Sequence, residues 1–453
     1  MINWLQSNSD IAITALDEEI TYRNFYLKIS GYAKKLEEAG ITSKDRVLVI
    51  SHPDHMIETI CWSYGAMFMG ASPANASFLQ SKEEIDLKSK SANVKAHVWY
   101  DGKIEIVSDK SFKQHPLESY VYFSSNTTVK KDNLYSTEPA FISYPNDWKT
   151  GFANEDVILL MSEYLGKVPL KQLSSMGWEI AYAPHNVANC LLTGGSYHWV
   201  KKESDFIEAQ EKYKTNSLST YPISIERICS SGKFKTPIDF VEVSGGSCTP
   251  SLINKIKSSM DPRFISNSFG TVGAGLLLTK VISRDEPGDD IEYMKVYDKT
   301  GLQVKLDEKG LMYFSRNSSE WTSDGDLFDE INGFYKFRSR AHDEHLNFKG
   351  GKISTWEIEG YANDLLKTVK GCGDHTYVFS MNGLDGYERH GLVYSGNFPA
   401  KDLKKRLSNL ISYKRPQVIY RVSDNFWSKD IKVSRSRMSD NILKHRDLII
   451  EQC

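Results

Sequence analysis

Several stretches of this 453-residue chain gather side chains that could do chemistry. Ser124-Ser125-Asn126-Thr127-Thr128 carries four hydroxyls in five residues, followed by Val129-Lys130-Lys131-Asp132. Taken alone, it is accounted for by a Ser/Thr turn with no ligand. His342-Asp343-Glu344-His345 offers metal-type donors in a row, but a polar loop accounts for it better, and no metal-ligand set is expected. Cysteines 61, 190, 229, 248, 372 and 453 have no paired spacing. That excludes a disulfide scaffold and a Cys-rich zinc site, and it suggests a reducing cytoplasm. From Lys401 to Cys453, 13 Lys/Arg stand against 6 Asp/Glu, so this segment is either a solvated surface or a landing site for something anionic.

These side chains must be positioned by alternating helices and strands. Residues 21–39 read as a helix, with Phe25, Ile29, Ala33 and Leu36 on one face and Gly40 as its stop. Strand 46–50, helix 54–69, a capping box of Ser81 with Glu84, and strands 95–100 and 119–123 follow. The rhythm returns with helix 206–213, strands 216–219 and 240–243, a turn at Gly245-Gly246 and helix 251–259. Such alternation implies a parallel, doubly wound sheet. From 276 the pattern becomes a smaller β-rich section, with strands 276–282, 292–297, 303–305 and 311–314. After Arg340 an α+β pattern predicts strands 376–380, 391–395 and 417–421 and helix 400–411. The expected division is 1–340 and 341–453.

Composition narrows the function classes. With 56 Lys+Arg against 58 Asp+Glu the net charge is −2, which gives no global pull towards nucleic acid or anionic membrane. No apolar run approaches the roughly 20 residues of a membrane span, and the first residues lack a signal-peptide pattern. A cytoplasmic location is therefore expected. At 12% aromatic residues, including nine Trp, the chain is no disordered protein.

In order along the chain, the landmarks resemble the adenylate-forming superfamily of acyl-CoA synthetases, nonribosomal-peptide adenylation domains and luciferase. Ile20-Thr21-Tyr22 with Lys44-Asp45-Arg46-Val47 is similar to its opening, and Gly70-Ala71-Ser72-Pro73 to its G-A-x-x-x-P turn. Val243-Ser244-Gly245-Gly246 resembles the Gly-Gly loop lining the adenine and acyl pocket. Ser268-Phe269-Gly270-Thr271 resembles the Y-G-x-T-E loop, and Trp321 to Asp326 resembles W-x-x-T-G-D. Ser339-Arg340, Lys349-Gly350-Gly351-Lys352 and Glu357-Ile358-Glu359 are similar to G-R-x-D-D-x-x-K-x-x-G-x-x-I-x-x-x-E-I-E, the strongest single signal.

The resemblance implies two half-reactions in one site. A carboxylate attacks the α-phosphate of ATP and releases pyrophosphate; a CoA or phosphopantetheine thiol then displaces AMP. It assigns Ser124, Ser125, Thr127, Thr128, Gly245, Gly246, Phe269, Gly270, Thr271, Asp326 and Arg340 to the nucleotide, with Asp326 on the ribose hydroxyls and Arg340 on ribose and phosphate. Lys432 becomes the adenylation lysine, His342 the hinge, and Lys349, Gly350 and Lys352 the thiol side. Trp178 to His185 falls where the family places an aromatic or His near the acyl pocket. No Asp stands in the setting that would bind an α-amine, which disfavours an amino-acid substrate.

The chain also departs from the pattern. Asn126 and Val129 replace both phosphate-loop glycines, and β-branched Val129 is poorly suited to a left-handed turn. Asp132 replaces the loop lysine, and Ile431 replaces the glycine before Lys432. Val272 and Gly273 stand for the Thr and the metal-side Glu, and their side chains offer a magnesium ion no oxygen. The expected fold is α/β, with a large N-terminal domain and a smaller mobile α+β lid. The expected function is an AMP-dependent acyl- or aryl-CoA ligase acting on a small carboxylic acid and CoA or an acyl carrier protein, with weak or lost adenylation. The alternative is an inactive homologue that binds a carrier protein or its modifying enzyme.

Overall fold

The computed structural model describes residues 8–78, 82–108, 120–122, 129–130, 133–134, 140–142, 160–166, 168–178, 182–245, 248–271, 275–297, 302–315, 321, 323, 325–340, 345–348, 351–367, 376–382, 388–410, 414–427 and 435–453. It opens on a hairpin of β1 (Ile11–Ala15) and β2 (Glu18–Thr21). Thr21 caps α1 (Tyr22–Glu38), its hydroxyl oxygen accepting the Asn24 N–H at 3.2 Å, and the buried face is the predicted one. β3 (Arg46–Ser51) is buried throughout. The next helix starts later than the sequence suggests. Pro53–His55 forms a 3₁₀ turn whose Asp54 N–H bonds the His52 ring at 3.1 Å, and α2 spans only Met56–Phe68. α1 and α2 pack closely: a Cβ on Gly65 would lie 2.9 Å from Tyr32 Cβ, and Trp62 stacks on Tyr32 with centroids 3.9 Å apart.

β4 (Ser72–Ser77), α3 (Lys82–Ser91), β5 (Ala96–Trp99), β6 (Ile104–Ile106) and β7 (Tyr120–Tyr122) follow. A short hairpin of β8 (Val129–Lys130) and β9 (Asn133–Leu134) precedes β10 (Ala140–Ile142). These strands give a six-stranded sheet ordered β10-β7-β4-β3-β5-β6, parallel from β7 to β5. Ser81 of the expected capping box lies outside the described residues.

The second sheet carries the site. α4 (Leu160–Leu165), β11 (Lys171–Ser174), α5 (Tyr182–Leu192), β12 (Ser196–Trp199), α6 (Phe206–Tyr213), β13 (Ser217–Thr220), α7 (Pro222–Ser231), β14 (Phe240–Ser244), α8 (Pro250–Met260) and β15 (Phe264–Thr271) alternate as a doubly wound unit requires. Strands β1, β12, β11, β13, β14 and β15 lie side by side and parallel. The β-rich section expected after residue 276 is largely an extension of this sheet. β16 (Gly275–Ser283), β17 (Tyr293–Val296), β21 (Phe334–Arg340) and β20 (Asp326–Ile331) continue it antiparallel, while β18 (Gln303–Leu306) and β19 (Met312–Ser315) pair apart. Leu277, Leu278, Met294, Met312, Phe314 and Phe328 bury one cluster that ties both parts together.

The two faces of the parallel strands differ in chemistry. Leu173, Leu218, Val241, Val243 and Ile265 face α7 and α8, where Ile225, Ile228, Leu252, Ile253 and Ile256 complete an apolar core. The alternate residues, Gln172, Ser174, Ser217, Ser219, Glu242, Ser244, Ser266 and Ser268, are also buried but polar. Period-two alternation therefore separates two buried surfaces here, not a buried one from a wet one.

Towards the C-terminus, β22 (His345–Phe348) pairs with β23 (Gly351–Ser354), and α9 (Thr355–Lys367) follows. β24 (Thr376–Asn382), β25 (Glu388–Ser395), α10 (Ala400–Leu407), β26 (Val418–Val422), α11 (Asp424–Trp427), α12 (Arg435–Lys444) and β27 (Ile449–Gln452) build a four-stranded sheet ordered β24-β25-β26-β27. Ile358, Leu366, Leu392, Leu403 and Ile419 form a core on one side of it. α10 ends four residues before the predicted 411: Ser408 is its C-cap and its hydroxyl returns to the Lys405 carbonyl at 2.5 Å. Among the described residues, no helix is long and apolar enough to cross a membrane.

Candidate functional site

Chain order locates the crevice. From β11 the chain runs through α5 to β12 on one side, then returns through α6 to β13 on the other. The strand order thus reverses between β11 and β13, and the space beyond the carboxyl ends of such strands is where open α/β sheets bind ligands. Ser175 and Thr220 meet there, their hydroxyls 2.7 Å apart. On the neighbouring strand, Gly245 ends β14 with φ +76°, and a Cβ on it would lie 3.0 Å from the Tyr221 ring. Only glycine takes both the left-handed turn and that close approach without strain. Gly246 lies outside the described residues.

Of the predicted nucleotide residues, Phe269 sits at a bulge with Gly270 near the end of β15, and Thr271 pairs with Gly275. Phe269 packs edge-on to Phe328 at 4.9 Å and over Phe337 at 6.0 Å. It is therefore partly spent on the core, and that core joins it to the β20–β21 pair. Asp326, 6% exposed, opens β20 and stands opposite Arg340 at the end of β21. Lys352 lies in β23. Ser124, Ser125, Thr127, Thr128, His342, Lys349, Gly350 and Lys432 lie outside the described residues. His345, the last member of the His342–His345 run, is in β22, and no group of three or more metal-type donors occurs among the described residues.

No protein-family profile and no curated protein matches the sequence. Solved structures do. ATP-bound MatB from Rhodopseudomonas palustris is similar over 92% of each chain, at 12% identity and a TM-score of 0.66. O-succinylbenzoate coenzyme A synthetase (MenE) from Bacillus subtilis, in complex with AMP, is similar over 93% of this chain and 94% of its own, at 13% identity and 0.67. A single-substitution form of E. coli MenE with bound OSB-AMS is similar over 98% of each chain, at 13% identity and 0.70. The chain has the fold of the adenylate-forming CoA ligases. At such identities the likeness is one of fold, and it spans both the large sheets and the C-terminal sheet.

Within this fold, the sequence marks Tyr182 and His185 only as part of the 178–185 stretch and does not mark Asn186, Cys190 or Glu242, which complete the best-defined polar group. Tyr182, Asn186 and Cys190 recur every fourth residue along α5, so they share one face. Each touches one polar residue of the sheet: Tyr182 Oη donates to Glu242 Oε1 at 2.5 Å, Asn186 Nδ2 to Ser219 Oγ at 3.3 Å, and Cys190 Sγ to Gln172 Oε1 at 3.6 Å. Ser219 Oγ donates to Glu242 Oε2 at 3.1 Å, and Ser268 adds a further hydrogen bond. Burial pushes the Glu242 carboxyl above its usual range, against the pull of those hydroxyls. Burial and the neighbouring Glu242 charge push the Tyr182 phenol well up, and burial of the His185 ring pushes it down to about 4, although both residues keep an edge at the surface. The group thus brings a carboxyl, a phenol and a neutral imidazole together, and among the described residues no cation pairs with Glu242. The signal in sequence was the Tyr-x₃-Asn-x₃-Cys spacing together with the alternating Ser217-Leu218-Ser219 and Glu242-Val243-Ser244.

Proposed function

We propose that this chain is a ligase-type protein that binds a nucleotide and a small carboxylic acid for transfer to a CoA or phosphopantetheine thiol, with ATP-dependent adenylation weak or lost. The supporting observation is the likeness of fold over 92–98% of the chain to ligase structures solved with ATP, AMP or OSB-AMS. The left-handed Gly245 and the buried Asp326 opposite Arg340 fit a nucleotide: a turn without a side chain, a carboxylate for ribose hydroxyls and a guanidinium for phosphate. ATP, when bound, would supply the AMP leaving group. In this reading Lys432 would neutralise charge on the α-phosphate, Ser124, Ser125, Thr127 and Thr128 would donate to the phosphates, and Phe269, Gly270 and Thr271 would border the base. Residues 341–453 would form a lid turning at His342, bringing Lys349, Gly350 and Lys352 to the thiol side.

Magnesium does not fit as well. Val272 and Gly273 bring no side-chain oxygen to the position where the resemblance expects a Glu. Asp132 adds a negative charge beside the phosphate loop. A carboxylate about 4 Å from a phosphate costs on the order of 1 kcal/mol in water and about 4 at an effective dielectric of 20. ATP–pyrophosphate exchange across a panel of carboxylic acids tests the reading; turnover at tens per second with a simple acid would show that adenylation has not decayed.

A second reading is favoured by α10. Ala400, Leu403 and Leu407 are buried, while Lys401, Lys404, Lys405 and Arg406 point outward, giving a dense cationic face. A catalytically inactive relative could use it to hold an acidic carrier protein or its modifying enzyme. Titration with carrier protein at low and high salt separates the readings, since contacts of this kind are screened beyond about 10 Å at 0.1 M salt.

A further inference from the structure

We propose that Arg227 is a positioning residue that clasps the C-terminal sheet to α7 through the backbone of α11, and that Glu203 receives its guanidinium when the clasp opens. This rests on the lid reading above and names what holds the lid in place.

Each end of the clasp is built into a core. α7 is seated on the large sheet by Ile225 and Ile228, both fully buried. α11 is a single turn whose Phe426 and Trp427 rings pack edge-on, 5.4 Å apart, in one cluster with Phe379, Val393, Val422 and Met438 of the C-terminal unit. Arg227 Nη2 bridges the two by donating to the Asp424 carbonyl at 2.9 Å. Close-packed interiors transmit displacement, so α11 cannot leave α7 without carrying the C-terminal sheet with it. Lys432 follows Trp427 by five positions, so the clasp also restricts, through about 18 Å of chain at most, where that lysine can act.

The other half of the guanidinium faces a second acceptor. Nη1 lies 3.8 Å from Glu203 Oε1, long for an ion pair, and the same oxygen accepts the Ser224 hydroxyl at 3.1 Å. Glu226, the other carboxylate of α7, is already paired with Lys255 of α8. Arg227 therefore stands between one acceptor on the large domain and one on the C-terminal unit, and its planar fork presents donors to both. If α11 departs, the guanidinium closes on Glu203 and no cation is left without a partner. Magnitudes set the resting state. The Arg227 and Glu203 side chains are each 27% exposed, and ion pairs at such a surface contribute little. A hydrogen bond to a charged group is worth about tenfold or more in an equilibrium. The docked arrangement is thus preferred, by a margin that one bond decides.

Small-angle X-ray scattering of the full chain without nucleotide reads docking alone. Arg227→Ala should shift the ratio of docked to undocked molecules about tenfold or more towards undocked, seen as a larger radius of gyration and maximum dimension at an unchanged unfolding midpoint. Should that variant fail to fold, Arg227→Met keeps the packing of the stem and removes only the donors. Glu203→Gln should leave the profile as compact as the wild type or more so, because it weakens only the open state. Asp424→Asn should match the wild type, since the acceptor is the backbone carbonyl. An unchanged profile in the folded Arg227 variant, or an expansion by Glu203→Gln equal to that of Arg227→Ala, overturns the proposal; the second outcome would make Arg227 an ordinary ion-pair partner within the large domain. AMP titration of the same samples separates the two readings: an unchanged profile with AMP bound removes the clasp alone, and the expected profiles without AMP binding support the clasp and remove the ligase reading.

Discussion

Asp326 and Arg340 are cross-strand partners, the first residue of β20 facing the last of β21. Fourteen positions of sequence separate them, and the β20–β21 pairing alone brings them to one end of the sheet. Replacing Asp326 by Asn keeps the strand pairing but removes the charge. We expect AMP affinity to fall about 10- to 100-fold by calorimetry, the range for a hydrogen bond to a charged group, with little change in unfolding midpoint. Unchanged affinity would detach this pair from nucleotide binding.

Gly245→Ala should destabilise the chain. The left-handed φ of +76° costs a residue with a Cβ about 1–2 kcal/mol, and contact with the Tyr221 ring at 3.0 Å adds to it. Gly245→Asn should cost less through φ, since Asn tolerates that region better. Denaturant unfolding of both variants checks the ordering.

His198 should make stability depend on pH. Its Nδ1 meets Thr14 Oγ1 at 2.9 Å, its Nε2 meets Ser196 Oγ at 2.7 Å, and its ring stacks on Tyr213. Burial and then the Lys171 charge push it down to about 3. A histidine freed by unfolding takes up a proton near pH 6.5, so the unfolded state binds more protons between about pH 3 and 6.5. The contribution of His198 is thus complete above that window and is lost as pH falls through it. His198→Gln should flatten the slope of unfolding free energy against pH between 4 and 6.5, and an unaltered slope would contradict this.

Joint restoration of the two departures that act on the phosphates should recover nucleotide binding. Gly273→Glu with Asp132→Lys is expected to raise Mg-ATP affinity measurably, whereas Gly273→Glu alone should do less, because groups acting on one site are not independent. Calorimetry with ATP in magnesium and in EDTA separates the two contributions.

Reversing Lys404, Lys405 and Arg406 to Glu should abolish salt-sensitive binding of an acidic carrier protein to α10. All three lie on its exposed side, so the fold should survive. Binding that is absent at low salt, or indifferent to the reversal, removes the second reading.

Much of the fold was legible because it depends on local rules. The α1 face from Phe25 to Leu36, the limits of α6 and the apolar runs of β3 and β14 followed from period and punctuation. The start of α2 did not, since the His52 ring and Pro53 settle it through a 3₁₀ turn. α5 was missed because it is buried on more than one side: Ala183, Val187 and Cys190 join the apolar core while Tyr182 and Asn186 meet polar strand residues, so no apolar stripe stands out against a wet face. For the same reason Glu242 looked like one residue of an ordinary strand. Its partners come from α5, β13 and β15, and only tertiary structure assembles them.

The chemical contrast between the two buried faces of the large sheet also bears on how the chain finds its alignment. A slip of β14 by one residue would turn Glu242 towards Ile225 and Ile253, and would set Val241 and Val243 against Tyr182 and Asn186. A buried polar group left without a partner costs about 2–7 kcal/mol, a large share of the margin by which proteins stay folded. Misaligned intermediates are thus penalised at this one position, so that Glu242 acts as a checkpoint on strand pairing before any ligand arrives.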